Sequence, residues 1–65
     1  MMKKTFKFGG DYQAMQDSFK VMRAWQYGNI ETDHAIKELC KINKQDLITE
    51  SQFLDIVSFW GFRRK

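Results

Sequence analysis

The hydrophobic positions between residues 11 and 27 repeat with the period of an α-helix. At about 100° per residue, the apolar side chains cover roughly half of the helix circumference. The apolar set comprises Ala14, Met15, Phe19, Val21, Met22 and Trp25, with Tyr12 at its margin, and the polar set comprises Gln13, Gln16, Asp17, Lys20 and Arg23. A single buried stripe needs a narrower arc. We therefore expect this helix to contact both a core and a second surface, with Met15 and Phe19 in the core and Trp25 partly exposed.

The ends of this first helix and the whole of a second one are predicted by local signals. The carboxylate of Asp11 suits a helix N-cap, and the pair Gly28-Asn29 tolerates the left-handed conformation that ends helices. A second amphipathic segment begins at Thr32 or Asp33 and covers about residues 33–43. Its core positions are Ala35, Ile36, Leu39, Cys40 and Ile42. The sequence therefore predicts helices at about 11–27 and 33–43.

A third helix, at about 50–60, has the clearest boundary signals. Thr49 and Gln52 have the spacing of a capping box, and Ile48 with Phe53 occupy the two positions of a hydrophobic staple. Gly61 predicts the end of the helix, and Phe62 is placed to fold back in a Schellman closure. The expected buried stripe is Phe53, Ile56, Val57 and Trp60, with Leu54 and Phe59 to its sides.

These elements define the fold class. Residues 1–65 suffice for one domain, and a chain of this size buries only ~60% of its unfolded surface. The segment Thr5-Phe6-Lys7-Phe8 alternates like a strand but has no predicted partner strand. The prediction is an all-α protein: a small three-helix bundle with a flexible or extended N-terminal arm and a basic C-terminal tail.

The distribution of charge bears on the class of partner. The formal net charge is +3, yet residues 11 to 62 carry only five basic side chains against eight acidic ones. No helix concentrates Lys and Arg as a groove-reading element of a DNA-binding protein does. Six basic residues lie at the ends and are candidates for phosphate contacts or simple solubilising tails: Lys3, Lys4, Lys7, Arg63, Arg64 and Lys65.

Residues suited to catalysis or metal binding are sparse. His34 and Cys40 do not have the spacing of the familiar zinc sites, and a single cysteine fits a reducing cytoplasm. No phosphate-binding loop, dinucleotide fingerprint or nucleophile elbow is present. No apolar run reaches the ~18 residues that a membrane span needs. We expect no enzyme activity, no cofactor, no metal and no membrane span.

One segment resembles a known family. The series Gly10-Asp11, Met15, Asp17, Ser18, Phe19, Met22, Arg23 and Trp25, preceded by Thr5-Phe6, is similar to the Kil peptides of lambdoid bacteriophages. These peptides inhibit division of the bacterial host by interfering with the assembly of the tubulin-like protein FtsZ. The resemblance covers about a quarter of the chain and leaves residues 30–65 without a counterpart in the short lambda-type peptide. It implies a phage-type inhibitor that acts in the cytoplasm of a bacterial host.

The residue pattern and the resemblance both favour a protein that acts by binding a host protein. The candidate partner-binding residues are Phe19, Met22, Arg23 and Trp25, since a helix face with aromatic anchors and one directional charge suits such an interface. Two alternatives stay open. One is a small helical DNA-binding or nucleoid-associated transcriptional regulator that uses the basic ends on phosphates. The other is a homodimeric phage accessory protein whose surplus aromatic residues form the interface between copies.

Overall fold

The computed structural model describes residues 12–64, which form three α-helices. Helix α1 spans Tyr12–Gln26, α2 spans Thr32–Ile42 and α3 spans Glu50–Phe59. Within that range there is no strand, so the predicted all-α fold and small helical bundle are confirmed. The boundaries agree with the predicted ones to within one residue. The N-terminal arm, the Asp11 cap and Lys65 lie outside the described residues.

The core forms where the apolar faces of the three helices meet. The larger interface is between α1 and α2, and α3 packs less extensively against α2. The buried apolar residues of the core are Met22, Trp25, Ala35, Ile36, Leu39, Cys40, Phe53 and Val57. The predicted core positions of α2 from Ala35 to Cys40 are all buried, because they recur on one side of the helix. Cys40 is a free, buried thiol.

All three helices end in the same backbone arrangement, the Schellman motif. In α1 the amides of Gly28 and Asn29 donate to the carbonyls of Trp25 and Ala24, and Gly28 has φ 81°. In α3 the Phe62 amide donates to the Val57 carbonyl over 2.8 Å, as predicted from Gly61. These bonds satisfy carbonyls that have no partner within the helix.

Helix α2 ends in the same way but without a glycine. The amides of Lys44 and Gln45 donate to the carbonyls of Lys41 and Cys40, over 3.3 and 2.9 Å. Lys44 has φ 54°, the one positive φ among the non-glycine residues of the described range. A side chain in the left-handed region costs roughly 1 kcal/mol. The end of α2 is therefore strained where the other two helix ends are not.

The starts of α2 and α3 also differ, because only α3 has a side-chain cap. The predicted capping box of α3 is confirmed: the Gln52 amide donates to Thr49 Oγ1 over 3.1 Å, and the Thr49 amide donates to Gln52 Oε1 over 2.9 Å. The N-cap of α2 is Glu31, whose side chain makes no capping hydrogen bond. The Thr32 hydroxyl next to it instead accepts a hydrogen bond from the Trp25 indole. The hydroxyl nearest the start of α2 is thus used in a tertiary hydrogen bond to Trp25.

A buried polar contact joins α1 to the end of α2. Ser18 is fully buried, and its hydroxyl donates to the Ala14 carbonyl over 2.7 Å. Asn43 is buried as well, and its side-chain Nδ2 donates to Ser18 Oγ over 2.8 Å and to the Leu39 carbonyl over 2.9 Å. Because hydrogen bonds replace the lost water contacts of these groups, burial of the two polar residues is tolerated.

Two predicted core residues, Met15 and Trp60, are exposed, and three others are half-buried: Phe19, Ile42 and Ile56. Met15 lies outside the core, because Ala14, Ser18, Met22 and Trp25 form the side of α1 that faces α2. Trp60 was predicted to be in the buried stripe of α3, yet it is 41% exposed. The helix ends at Phe59, so Trp60 belongs to the turn and is not held over the core.

Replacing Thr49 by Ala should destabilise the protein by about 1 kcal/mol, because the Gln52 amide loses its acceptor. In a domain of this size, that loss lowers the melting temperature by about 4–8 °C in thermal unfolding followed by circular dichroism. Thr49→Ser keeps the hydroxyl and is the control. An unchanged melting temperature for Thr49→Ala would contradict a stabilising role of the cap.

Replacing Lys44 by Gly should stabilise the protein by about 0.5–1 kcal/mol, because glycine adopts positive φ without steric cost. Lys41→Gly is the matched control: the same change inside α2 should destabilise by about 1 kcal/mol. Urea unfolding of the two variants gives both differences. If Lys44→Gly is no more stable than the parent chain, the strain at this helix end is absent in solution.

Candidate functional site

The four predicted partner-binding residues are not on one surface. Met22 is fully buried and Trp25 is 3% exposed, so both belong to the core. Phe19 is half-buried and Arg23 is exposed. The prediction that Trp25 is partly exposed is therefore wrong. Of the predicted set, Phe19 and Arg23 retain accessible surface for a partner.

The position of Trp25 has a clear physical cause, which is that its ring is enclosed on several sides. It stacks edge-to-face on Phe53, with ring centroids 5.2 Å apart and an interplanar angle of 86°. Its Nε1 donates to Thr32 Oγ1 over 3.0 Å. The Arg64 guanidinium carbon lies over the ring, 5.7 Å from the centroid. An indole that is both packed and hydrogen-bonded is a stable core residue.

A chain of aromatic contacts runs from the core edge to the surface. We call the residues Phe62, Phe19, Trp60 and Phe59 the aromatic row. Ring centroids are 6.2 Å apart for Phe62 and Phe19, 5.2 Å for Phe19 and Trp60, and 5.4 Å for Trp60 and Phe59. Phe62 and Phe19 are half-buried, whereas Phe59 is 80% exposed. The row thus ends in a largely exposed aromatic ring.

The exposure of Phe59 follows from its place on α3. It lies six residues after Phe53, which is about 240° around a helix whose buried side is set by Phe53 and Val57. The sequence placed Phe59 beside the buried stripe but did not indicate it as a binding residue. Its angle from the stripe was the available signal. The contact of Phe19 with Trp60, which extends the surface to α1, had no signal in the sequence.

The opposite side of α3 carries a groove. Its volume is about 300 Å³, and it is open to solvent. Leu54, Val57 and Phe62 provide apolar lining together with Trp25, while Arg63 and Arg64 form the basic part of the wall. The aromatic row and this groove share Phe62, but their other members diverge, because Leu54 and Phe59 lie on different sides of α3.

The candidate phosphate-contacting residues are only partly described. Lys3, Lys4, Lys7 and Lys65 lie outside residues 12–64. Arg63 is exposed, whereas Arg64 donates from Nη2 to the Ile30 carbonyl over 3.2 Å. The described range holds seven basic and seven acidic side chains, so its formal charge is zero apart from His34. Arg64 thus ties the C-terminal tail to the connection between α1 and α2.

Other kinds of site find little support in the described range. No group of three or more His, Cys, Asp or Glu side chains between residues 12 and 64 is placed to hold a metal ion. His34 lies 4.0 Å from Glu38 on the exposed side of α2, which is an ordinary surface pair. None of the three helices has both the length and the apolar character needed to cross a bilayer.

The chain matches no protein-family model, no curated protein and no solved structure.

The contrast between Trp25 and Phe59 gives a direct prediction. Trp25→Ala should cost about 3–5 kcal/mol, because it leaves a cavity and removes the donor to Thr32. That is comparable with the whole stability of a domain of this size, so cooperative thermal unfolding should be lost or nearly lost. Phe59→Ala should change stability by less than about 0.5 kcal/mol, since the ring is exposed. Calorimetry of both variants checks the pair, and a folded Trp25→Ala with a near-parental melting temperature would contradict it.

Proposed function

We propose that this protein acts by binding another protein through the aromatic row, with Phe59 as the principal anchor. The observation that supports this is the exposure of Phe59 together with its ring contact to Trp60. Exposed large aromatic rings are costly in water and are enriched at the energetic centres of protein interfaces. Contact with Trp60 also limits the freedom of the Phe59 ring, so less entropy is lost on binding.

The charge of the described residues supports a protein partner over a nucleic acid. The whole chain has a formal charge of +3 because six basic residues lie at its ends, but basic and acidic side chains are equal in number between residues 12 and 64, and the row itself contains no basic residue. Nucleic-acid binding depends on concentrated positive charge for counterion release. An aromatic anchor beside mixed charges is instead typical of protein interfaces. The exposed Arg23 on α1 is available as a charged contact for the same partner.

The resemblance to the Kil peptides supplies a specific partner for this proposal. We propose that the chain binds FtsZ and reduces its assembly, which inhibits division of the bacterial host. Occupying a surface that a polymerising protein needs is sufficient for inhibition, so no catalytic group is required. The row includes Phe19, which belongs to the segment that carries the resemblance. The other anchors come from the C-terminal end of α3, outside that segment.

Expression of the parent chain in a bacterium should cause filamentation, and Phe59→Ala should abolish it. Truncating a central aromatic anchor costs about 2 kcal/mol or more, which lowers affinity more than tenfold. Tyr27→Ala is the matched control, because Tyr27 is 71% exposed but lies at the end of α1 outside the aromatic row. Cell length on expression and light scattering of purified FtsZ during assembly are the two measurements.

Three outcomes are informative. Normal cell length with the parent chain would contradict FtsZ inhibition. Full activity of Phe59→Ala, with circular dichroism showing a folded protein, would contradict the aromatic row as the binding surface. Sedimentation equilibrium at micromolar concentration tests the row as a homodimer contact: a dimer that Phe59→Ala dissociates would assign the row to a second copy of the chain rather than to a foreign partner.

A further inference from the structure

The groove beside α3 has chemistry that the proposed use of the aromatic row leaves unexplained. Its volume of about 300 Å³ is at the lower end of the range for ligand sites, and it is open along one side. A typical small-molecule site buries most of the surface of its ligand. This groove is too open to do so. The shape fits side chains projecting from a peptide that lies across the groove.

The lining of the groove combines apolar and basic groups. Leu54, Val57 and Phe62 contribute apolar atoms, and no acidic side chain is among the lining residues. Arg63 and Arg64 also line the groove, so two guanidinium groups lie beside the apolar surface. A guest therefore gains from an apolar side chain and from a negative charge placed close together.

The two guanidinium groups retain capacity for a guest. Between residues 12 and 64, no carboxylate lies within 4.0 Å of either one. Arg64 uses one of five N–H donors on the Ile30 carbonyl, and its contact with the Trp25 face leaves the planar edge for other acceptors. The C-terminal end of α3 carries partial negative charge, so attraction for a carboxylate in the groove depends on Arg63 and Arg64.

We propose that the groove binds a short linear segment of a protein in which a large apolar side chain stands next to a carboxylate. The apolar side chain packs on Leu54 and Phe62, and the carboxylate pairs with Arg63 and the remaining donors of Arg64. Arginine suits this role because its fork of N–H groups matches a carboxylate. A nucleic-acid backbone would use the arginines but gain nothing from the apolar lining. This binding shares Phe62 with the aromatic row but does not use Phe59 or Trp60.

The test uses the purified full chain and a short fluorescein-labelled peptide in which leucine alternates with aspartate, followed by fluorescence anisotropy. Two matched peptides replace every aspartate by asparagine or every leucine by serine. The alternating peptide should bind, and both replacements should weaken binding at least about fivefold. Raising the salt concentration should also weaken binding, because the charge pair is exposed.

Matched variants locate the contact on the protein. Arg63→Gln should weaken binding about threefold to fivefold, whereas Arg23→Gln removes an equal charge outside the groove and should have no effect. Leu54→Ser should weaken binding about fivefold or more, whereas Leu47→Ser changes an exposed leucine that does not line the groove and should have no effect. Circular dichroism establishes that each variant is folded.

Several results would overturn the proposal. Absence of peptide binding would do so, and so would equal effects of Arg63→Gln and Arg23→Gln, which would indicate a diffuse charge effect. Displacement of the labelled peptide by an unlabelled oligothymidylate that binds with similar affinity would assign the arginines to phosphate binding. Phe59→Ala should bind the peptide normally. Failure of the groove proposal therefore leaves the filamentation test unaffected, and failure of the filamentation test leaves the groove proposal standing.

Discussion

The enclosed indole of Trp25 is the contact on which the arrangement of this small protein depends. A single side chain from α1 stacks on Phe53 of α3, donates to Thr32 at the start of α2 and lies under Arg64 of the tail. In a domain with so small a core, one large ring that reaches all three helices fixes their relative positions at low entropic cost.

The wide apolar arc of α1 is explained by the same placement. One edge of the arc, with Met22 and Trp25, faces the core, and Phe19 on the neighbouring edge meets the aromatic residues at the end of α3. Part of the apolar surface of α1 that suggested a foreign partner is therefore covered by the chain's own residues. The accessible aromatic surface moves to Phe59, on an element that carries no resemblance to the Kil peptides. This is why the proposed binding surface differs from the predicted one.

Polar contacts also join separate parts of the fold. The buried pair of Ser18 and Asn43 connects α1 to the end of α2, and Arg64 connects the tail to Ile30. Each buried polar group would be costly without its partner, so these contacts penalise alternative packings. Helix α3 packs less extensively on α2, and it exposes Leu54 on one side and Phe59 on another. The aromatic row includes Phe59, the groove includes Leu54, and the two surfaces meet at Phe62.

Local sequence signals are sufficient to predict the helices and most of their ends. Capping and terminating signals act within a few residues, so the Thr49 box and the turn at Gly61 could be predicted without knowledge of the fold. The period of hydrophobic residues likewise identified the buried side of α2. What it could not decide was which edge of the α1 arc faces the core, since Met15 and Trp25 are equally apolar in pattern. That choice depends on the packing of the helices, because burial of Trp25 requires Thr32, Phe53 and Arg64 to converge from distant parts of the chain. The pairing of Phe19 with Trp60 and the groove beside Leu54 are decided in the same way, since both are formed by residues that adjoin only after the helices have packed.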